Sequence, residues 1–255
     1  MPCKIVKEIS VIAESVANGI QRAAGAIVVK RDGGAPIFVP ADVTELEINE
    51  PVSVLTNLND AIRSLPNLEK LTFYASDYGK TDATQSLAFL RGASQLKELS
   101  LCSMPHLRDC APLLECKKLE ALRLTRQVTK VFDFRVLPSL STSRSLSGEM
   151  PSNAVLTRIS KVSQLTALEA LGGFKLAFLE PLAGLANLRQ LKLWSGSLAS
   201  SRGLLAFSEL EVLNLGYSKI RDTAELGSLT KLKKLELLGN KYPSGGLRLG
   251  KRREC

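Results

Sequence analysis

This sequence has least of imidazole and aromatic rings: among 255 residues there is one histidine and one tryptophan, and aromatics make up 5%. The single histidine removes the paired imidazoles of a helical zinc-protease motif. So few rings exclude an aromatic-rich sheet on which nucleic-acid bases stack. Long apolar runs are also missing. None approaches the roughly 18 residues that a membrane-crossing helix needs, so no membrane partner is expected. The five cysteines (Cys3, Cys102, Cys110, Cys116, Cys255) are an odd number without the spacing of a disulfide framework. The opening MPCKIVKEISVIAESV mixes lysine and glutamate into its apolar residues, unlike a secretory signal, and its acidic residues argue against a transit peptide. The expectation is a reducing, cytoplasmic setting.

What is present is the composition of a folded chain, 45% hydrophobic and 23% charged. Thirty-four basic residues against 25 acidic give a net charge of +9. Residues 241–255 hold Lys241, Arg248, Lys251, Arg252 and Arg253 against Glu254, which accounts for +4 of that total. Such a tail suits an acidic surface, or serves as a solvated terminus.

Leucines organise the rest. The pattern L-x-x-L-x-L is cleanest at Leu188-Leu191-Leu193, Leu210-Leu213-Leu215 and Leu232-Leu235-Leu237, spaced 22 residues apart. Matching triplets lie upstream at Val43-Leu46-Ile48, Leu68-Leu71-Phe73, Leu96-Leu99-Leu101 and Leu119-Leu122-Leu124, with a weaker one at Leu165-Leu168-Ala170. A ninth, Leu140-Ser143-Ser145, would point serines inward. Because side chains alternate along a strand, the fourth and sixth residues of a unit share a face. No unit of this size buries its apolar side alone, and stacking joins the leucines into one core.

KLEALRL, ELEVLNL and FLEPLAGLANLRQL carry a resemblance to the leucine-rich repeat family over about residues 43–240, with the last three units similar to its short 22-residue class. The resemblance implies an α/β solenoid with a parallel sheet on the concave face, helical or irregular convex segments and an N-terminal helical cap. It also implies a non-catalytic scaffold that binds another protein through the concave face, in a cytoskeletal or ciliary assembly or as a regulator of an enzyme such as a phosphatase. The alternative is a subunit of an RNA-containing assembly whose tail contacts phosphate. One departure stands out. The asparagine that usually follows the strand and ties neighbouring loops is present at Asn240, but its counterparts are Ser76, Met104, Gln127, Gly173, Gly196 and Ser218.

Three segments follow. Residues 1–42 form a cap: Ile5, Ile9, Ile12, Val16 and Ile20 recur at helical spacing, and Ile27–Val29 and Ile37–Val39 flank Arg31-Asp32-Gly33-Gly34 as a short hairpin or irregular first repeat. Residues 43–240 are the repeats, interrupted by an irregular loop at Leu137–Asn153, and 241–255 the basic tail.

Candidate chemistry is thin. Gly79-Lys80-Thr81 ends like a phosphate-binding loop, but the glycine required five residues earlier is Tyr74. Cys102, His106, Cys110 and Cys116 fall within fifteen residues, yet their spacing fits no familiar zinc site, so structural thiols are expected. His106 is the sole imidazole that could activate a nucleophile, and no third residue is evidently placed to orient it. No catalytic residue, cofactor or metal is expected.

The side chains left facing solvent are the third, fifth and seventh of each unit. The fifth positions include Arg123, Arg144, Glu169 and Lys192, the seventh Tyr74, Leu146, Leu171 and Trp194. A solvent-facing tryptophan among aliphatic neighbours, with Lys192 and Arg144 alongside, has the makings of an interface centre. The opposing expectation is that Trp194 folds over an adjacent loop and is structural.

Overall fold

The structure, a computed structural model, describes residues 26–50, 52–73, 84–102, 104–172, 174–194 and 197–240. The expected N-terminal helix, Tyr74, the Gly79-Lys80-Thr81 segment and the basic tail lie outside the described residues. The chain divides into two compact units, Met1–Thr142 and Ser143–Cys255.

The first unit begins with a hairpin: β1 (Ala26–Val29) runs antiparallel to β2 (Ile37–Pro40). The hairpin is stitched to the first return segment through Asn57. Its amide donates to the Val28 carbonyl at 2.8 Å and its oxygen accepts from Lys30 N at 2.5 Å. Four strands then pair in parallel: β3 (Glu45–Ile48), β4 (Lys70–Phe73), β5 (Glu98–Leu101) and β6 (Ala121–Leu124). In the second unit β7 (Ser145–Glu149), β8 (Ala167–Leu171), β9 (Gln190–Trp194), β10 (Val212–Asn214) and β11 (Lys234–Glu236) form a second parallel run.

The register is the one the leucine spacing dictates. Leu71 lies across from Leu99 and Leu99 from Leu122; Leu168 lies across from Leu191 and Leu191 from Leu213. The triplets at 68, 96, 119, 188 and 210 are at most 1% exposed, and each such leucine contributes roughly 1.5–3 kcal/mol by leaving water. In the last unit Leu232, Leu235 and Leu237 are only half-buried.

The ninth triplet is corrected. Leu146 lies across from Leu168 and Gly148 across from Ala170, so the unit is Ser143-Leu146-Gly148, three residues later than Leu140-Ser143-Ser145. The units on either side are then 24 and 22 residues away. The reason is volume: Leu146 is the one large aliphatic side chain in this strand, and it takes the inward position at 2% exposure. The expected irregular loop over 137–153 is therefore mostly ordered, holding the end of a 3-10 segment (Phe134–Ser139) and all of β7.

Return segments are single turns, at Ala88–Leu90, Ala111–Glu115, Phe134–Ser139, Glu180–Leu182, Leu204–Ala206 and Ala224–Ser228, with longer helices at Leu58–Arg63 and Asn153–Ile159. Several start on a side-chain oxygen that accepts a backbone N–H two residues on. Asp109 accepts from Ala111 and Asp222 from Ala224, each at 3.0 Å. Ser86 and Ser200, one repeat upstream, donate to these same carboxylates at 2.7 and 2.9 Å, linking successive turns. Gly203, at φ 98°, sits where a Cβ would strike the backbone of Leu179 and Glu180, so this turn admits only glycine.

Asparagine bridges between loops are more numerous than the family position alone suggests. Asn240 acts as expected, accepting from Ile220 N at 3.1 Å and donating to the Leu215 carbonyl at 2.8 Å. Asn153, at another position, exchanges two bonds with the Lys175 backbone, at 2.7 and 2.9 Å.

Candidate functional site

The register correction redistributes the residues singled out from sequence. Leu146 is in the core of the second unit, not on its outward face. Arg144 is not a fifth-position residue beside the tryptophan. It precedes β7, and its carbonyl accepts from Thr166 N at 2.8 Å and Ala167 N at 3.0 Å. The true fifth and seventh positions here are Ser147 and Glu149, across from Glu169 and Leu171. Arg123 is exposed on β6 in the first unit.

Four residues do come together. Trp194 ends β9 directly across from Leu171, the last residue of β8, and the Trp194 carbonyl accepts from Gly172 N at 2.8 Å. Lys192 lies two residues back on the same side, between Glu169 and Asn214, with its ammonium 3.2 Å from the Glu169 carboxylate. Both members of that pair are partly exposed, so it is a weak clamp rather than a source of much stability.

Trp194 is 40% exposed, and its polar edge is fixed. The indole Nε1 donates to Asn214 Oδ1 at 2.9 Å, an oxygen that also accepts from Gly216 N at 2.9 Å. The Asn214 amide donates in turn to Glu236, whose carboxylate is also held by Lys234. Asn214 is itself only 7% exposed. Gly216 makes the approach fit: a Cβ there would lie 3.2 Å from Asn214 Oδ1 and 3.3 Å from the Leu238 carbonyl.

Two exposed apolar side chains complete the row. Leu238 and Tyr217 are 72% and 66% exposed. Tyr217 adopts φ 54°, rare for a residue with a side chain, and its N–H donates to the Leu238 carbonyl at 2.6 Å. The outward positions of Asn214, Glu236 and Leu238 follow from the repeat. The relay among Trp194, Asn214 and Glu236 does not, since each link joins side chains 20 or 22 residues apart. Tyr217 carries no signal in the repeat pattern.

The cysteine-rich stretch does not form a reactive centre. Burial pushes the Cys110 thiol up to about 11 and the Cys116 thiol up to about 12, and raises Cys102 against the opposing pull of the Arg123 charge. All three are buried, protonated thiols, whereas His106 is exposed. Thiolate is the nucleophilic and metal-binding form, and this environment disfavours it. Among the described residues no group of three or more histidine, cysteine, aspartate or glutamate side chains is placed to hold a metal ion, and no helix is long and apolar enough to cross a membrane.

No protein-family model matches the sequence, and no curated protein does. Solved structures do. The leucine-rich repeat domain of the type III effector XopL superposes with a TM-score of 0.53 at 18% identity, over 79% of this chain and 71% of that one. An internalin, InlF, from Listeria monocytogenes gives a TM-score of 0.48 at 22% identity, over 71% of this chain and 57% of that one. A leucine-rich repeat protein of Leptospira interrogans gives 0.40 at 17% identity, over 80% and 62%. The chain thus spans less than two thirds of the length of the latter two. The likeness to the effector domain, with the parallel register of the leucine triplets, establishes a leucine-rich repeat fold.

Proposed function

We propose that this chain is a non-catalytic scaffold that binds another protein through the outward face of the second unit's sheet, with Trp194 at the centre of the contact. One observation carries the reading: a large apolar ring stands 40% exposed while its only polar group is already hydrogen-bonded within the sheet. An indole held this way loses little conformational freedom on binding, and its exposed face has no unmet polar demand. Leu171, Leu238 and Tyr217 extend the apolar row, while Glu169 and Lys192 supply a polar rim, the usual anatomy of an interface with an aromatic anchor.

The similarity of the last three units to the short repeat class supports a cytoskeletal or ciliary assembly, or the regulation of an enzyme, as the setting. The RNA alternative rests on residues 241–255 alone, and no observation among the described residues favours it.

The test is to purify the full chain with its companions, identify the principal one, and measure its affinity for wild type and Trp194→Ala. The expected loss is about 2 kcal/mol or more, some 30-fold in Kd. Equal affinity for the two proteins refutes the assignment. Trp194→Phe, which keeps a ring but loses the N–H, separates contact area from the positioning bond.

A further inference from the structure

The second unit ends on a strand with one neighbour. Among the described residues β11 is the last strand of its run, paired with β10 on one side and with no strand on the other. Burial records the consequence. Leu168, Leu191 and Leu213, at the fourth position of successive repeats, are 0% exposed, whereas Leu235 at the same position is only half-buried, as are Leu232 and Leu237. An inner coil is sealed by a neighbour on each side, and this one by a single neighbour.

The backbone of β11 divides by parity. Lys234 N–H donates to the Glu211 carbonyl at 3.0 Å and the Glu236 carbonyl accepts from Leu215 N at 2.9 Å, so these two residues face β10. Successive residues of a strand bond toward opposite sides, which turns the Leu235 N–H and carbonyl to the outer edge. Further on, the Leu237 carbonyl is taken by Asn240, from its backbone N–H at 3.4 Å and its side-chain amide at 2.9 Å. The edge on offer is therefore short and centred on Leu235. Side chains alternate as well: Leu235 turns inward, while Lys234 and Glu236 share the outward face and contact each other.

We propose that this edge pairs antiparallel with the same edge of a second copy of the chain, about a twofold axis at Leu235. Chemistry selects the register. With Leu235 opposite the partner's Leu235, the two exchange their N–H and carbonyl groups, and Lys234 of each chain stands opposite the partner's Glu236, their Cα atoms about 4.5 Å apart. Slipping the pair by two residues, the smallest slip that keeps the faces matched, opposes Lys234 to Lys234 in one direction and Glu236 to Glu236 in the other. Lys-Leu-Glu is thus complementary in charge to its own reverse, which favours a second copy over an unrelated strand. Each half-buried Leu235 gains the other as a neighbour, the cover that a further coil supplies elsewhere. Trp194 is two strands away on β9, so this contact goes beyond the interface proposed there, and either assignment can fail without the other.

The experiment is sedimentation equilibrium of the full-length protein across a range of concentrations, with Leu235 N–H exchange followed in parallel. The expected result is a monomer–dimer equilibrium in which that exchange slows as dimer accumulates. Lys234→Glu and Glu236→Lys each oppose like charges at both symmetric contacts, and each should raise the dimer Kd at least about 10-fold. Mixed in equal amounts, the two variants regain opposite charges at both contacts and should pair with each other about as tightly as wild type with itself. A local defect in either variant would not be mended by mixing. A wild-type monomer at every concentration overturns the proposal, and a protected Leu235 N–H in that monomer assigns the edge to residues 241–255. A dimer whose Leu235 exchange ignores concentration overturns it too, as do variants, folded by their Trp194 fluorescence, that dimerise no better mixed than alone. The wild-type measurements decide the matter even where a variant fails to fold.

Discussion

Replacing Asn214 with aspartate changes one donor into one charge at nearly constant shape, at the residue on which the tryptophan depends. Asn214 is 7% exposed; its oxygen accepts from Trp194 Nε1 and Gly216 N, each at 2.9 Å, and its amide donates to Glu236. An aspartate preserves both accepted bonds but sets a carboxylate oxygen against the Glu236 carboxylate. Losing a donor to a charged acceptor costs about 1.5–3 kcal/mol. The repulsion of two charges about 3 Å apart, about 5 kcal/mol at an effective dielectric constant near 20, adds to it. That term is capped near 4 kcal/mol at about pH 7, the cost of protonating a carboxyl with an ordinary pKa near 4. The ammonium of Lys234 on Glu236 offsets part of the repulsion. The expected net destabilisation is about 2–4 kcal/mol at neutral pH.

The pH dependence follows from the proton. In Asn214→Asp a protonated carboxyl restores the missing donor, so the introduced group has a higher pKa folded than unfolded. Its penalty is smallest below the ordinary carboxylate range and grows as pH rises through the folded pKa. Asn214→Ala, which introduces no titrating group, should show the smaller pH dependence of the two. Trp194 is the only tryptophan, so its fluorescence during guanidinium unfolding reports on this site directly. Parallel stability curves for wild type and Asn214→Asp between about pH 4 and pH 7 refute the Asn214–Glu236 contact and the positioning it supplies.

The buried thiols give a second expectation. In a Cys3→Ser/Cys255→Ser background, Cys102, Cys110 and Cys116 should resist a maleimide at about pH 8 in the native protein and react once it is unfolded, because the last two titrate near 11 and 12. Rapid native labelling at Cys110 or Cys116 refutes their placement in the core. The Asp222 carboxyl is held below its ordinary 3.8 by the Ala224 N–H and then the Ser200 hydroxyl. A depressed carboxyl adds stability above its unfolded pKa that is lost as pH falls through the folded value. Asp222→Asn should therefore lower the melting temperature at neutral pH, where the carboxylate contributes, and converge with wild type in acid, so that the acid limb is flatter.

The leucine spacing alone determined the architecture of both parallel runs: which residues are strands, which face turns inward, and the pairing of Leu71 with Leu99 or Leu191 with Leu213. It did so because a repeat that cannot bury its own apolar side has one arrangement that buries every copy at once. Period also placed Trp194 beside Leu171, as observed. It failed at one unit, where serines occupied the sampled positions and the actual triplet, Ser143-Leu146-Gly148, has one large residue to mark it. There the choice belonged to volume, and fitting Leu146 into the core moved Arg144 from a face to an edge.

The rest was decided by tertiary structure. Each link of the relay bridges roughly one repeat: indole to Asn214, and Asn214 to Glu236. A sequence motif records neighbours along the chain, whereas stacking creates neighbours across it. The sequence therefore settled which leucines of the regular units turn inward. Only the stacked fold settled which exposed groups meet, because those meetings depend on side-chain reach and hydrogen-bond direction between coils rather than on hydrophobic period.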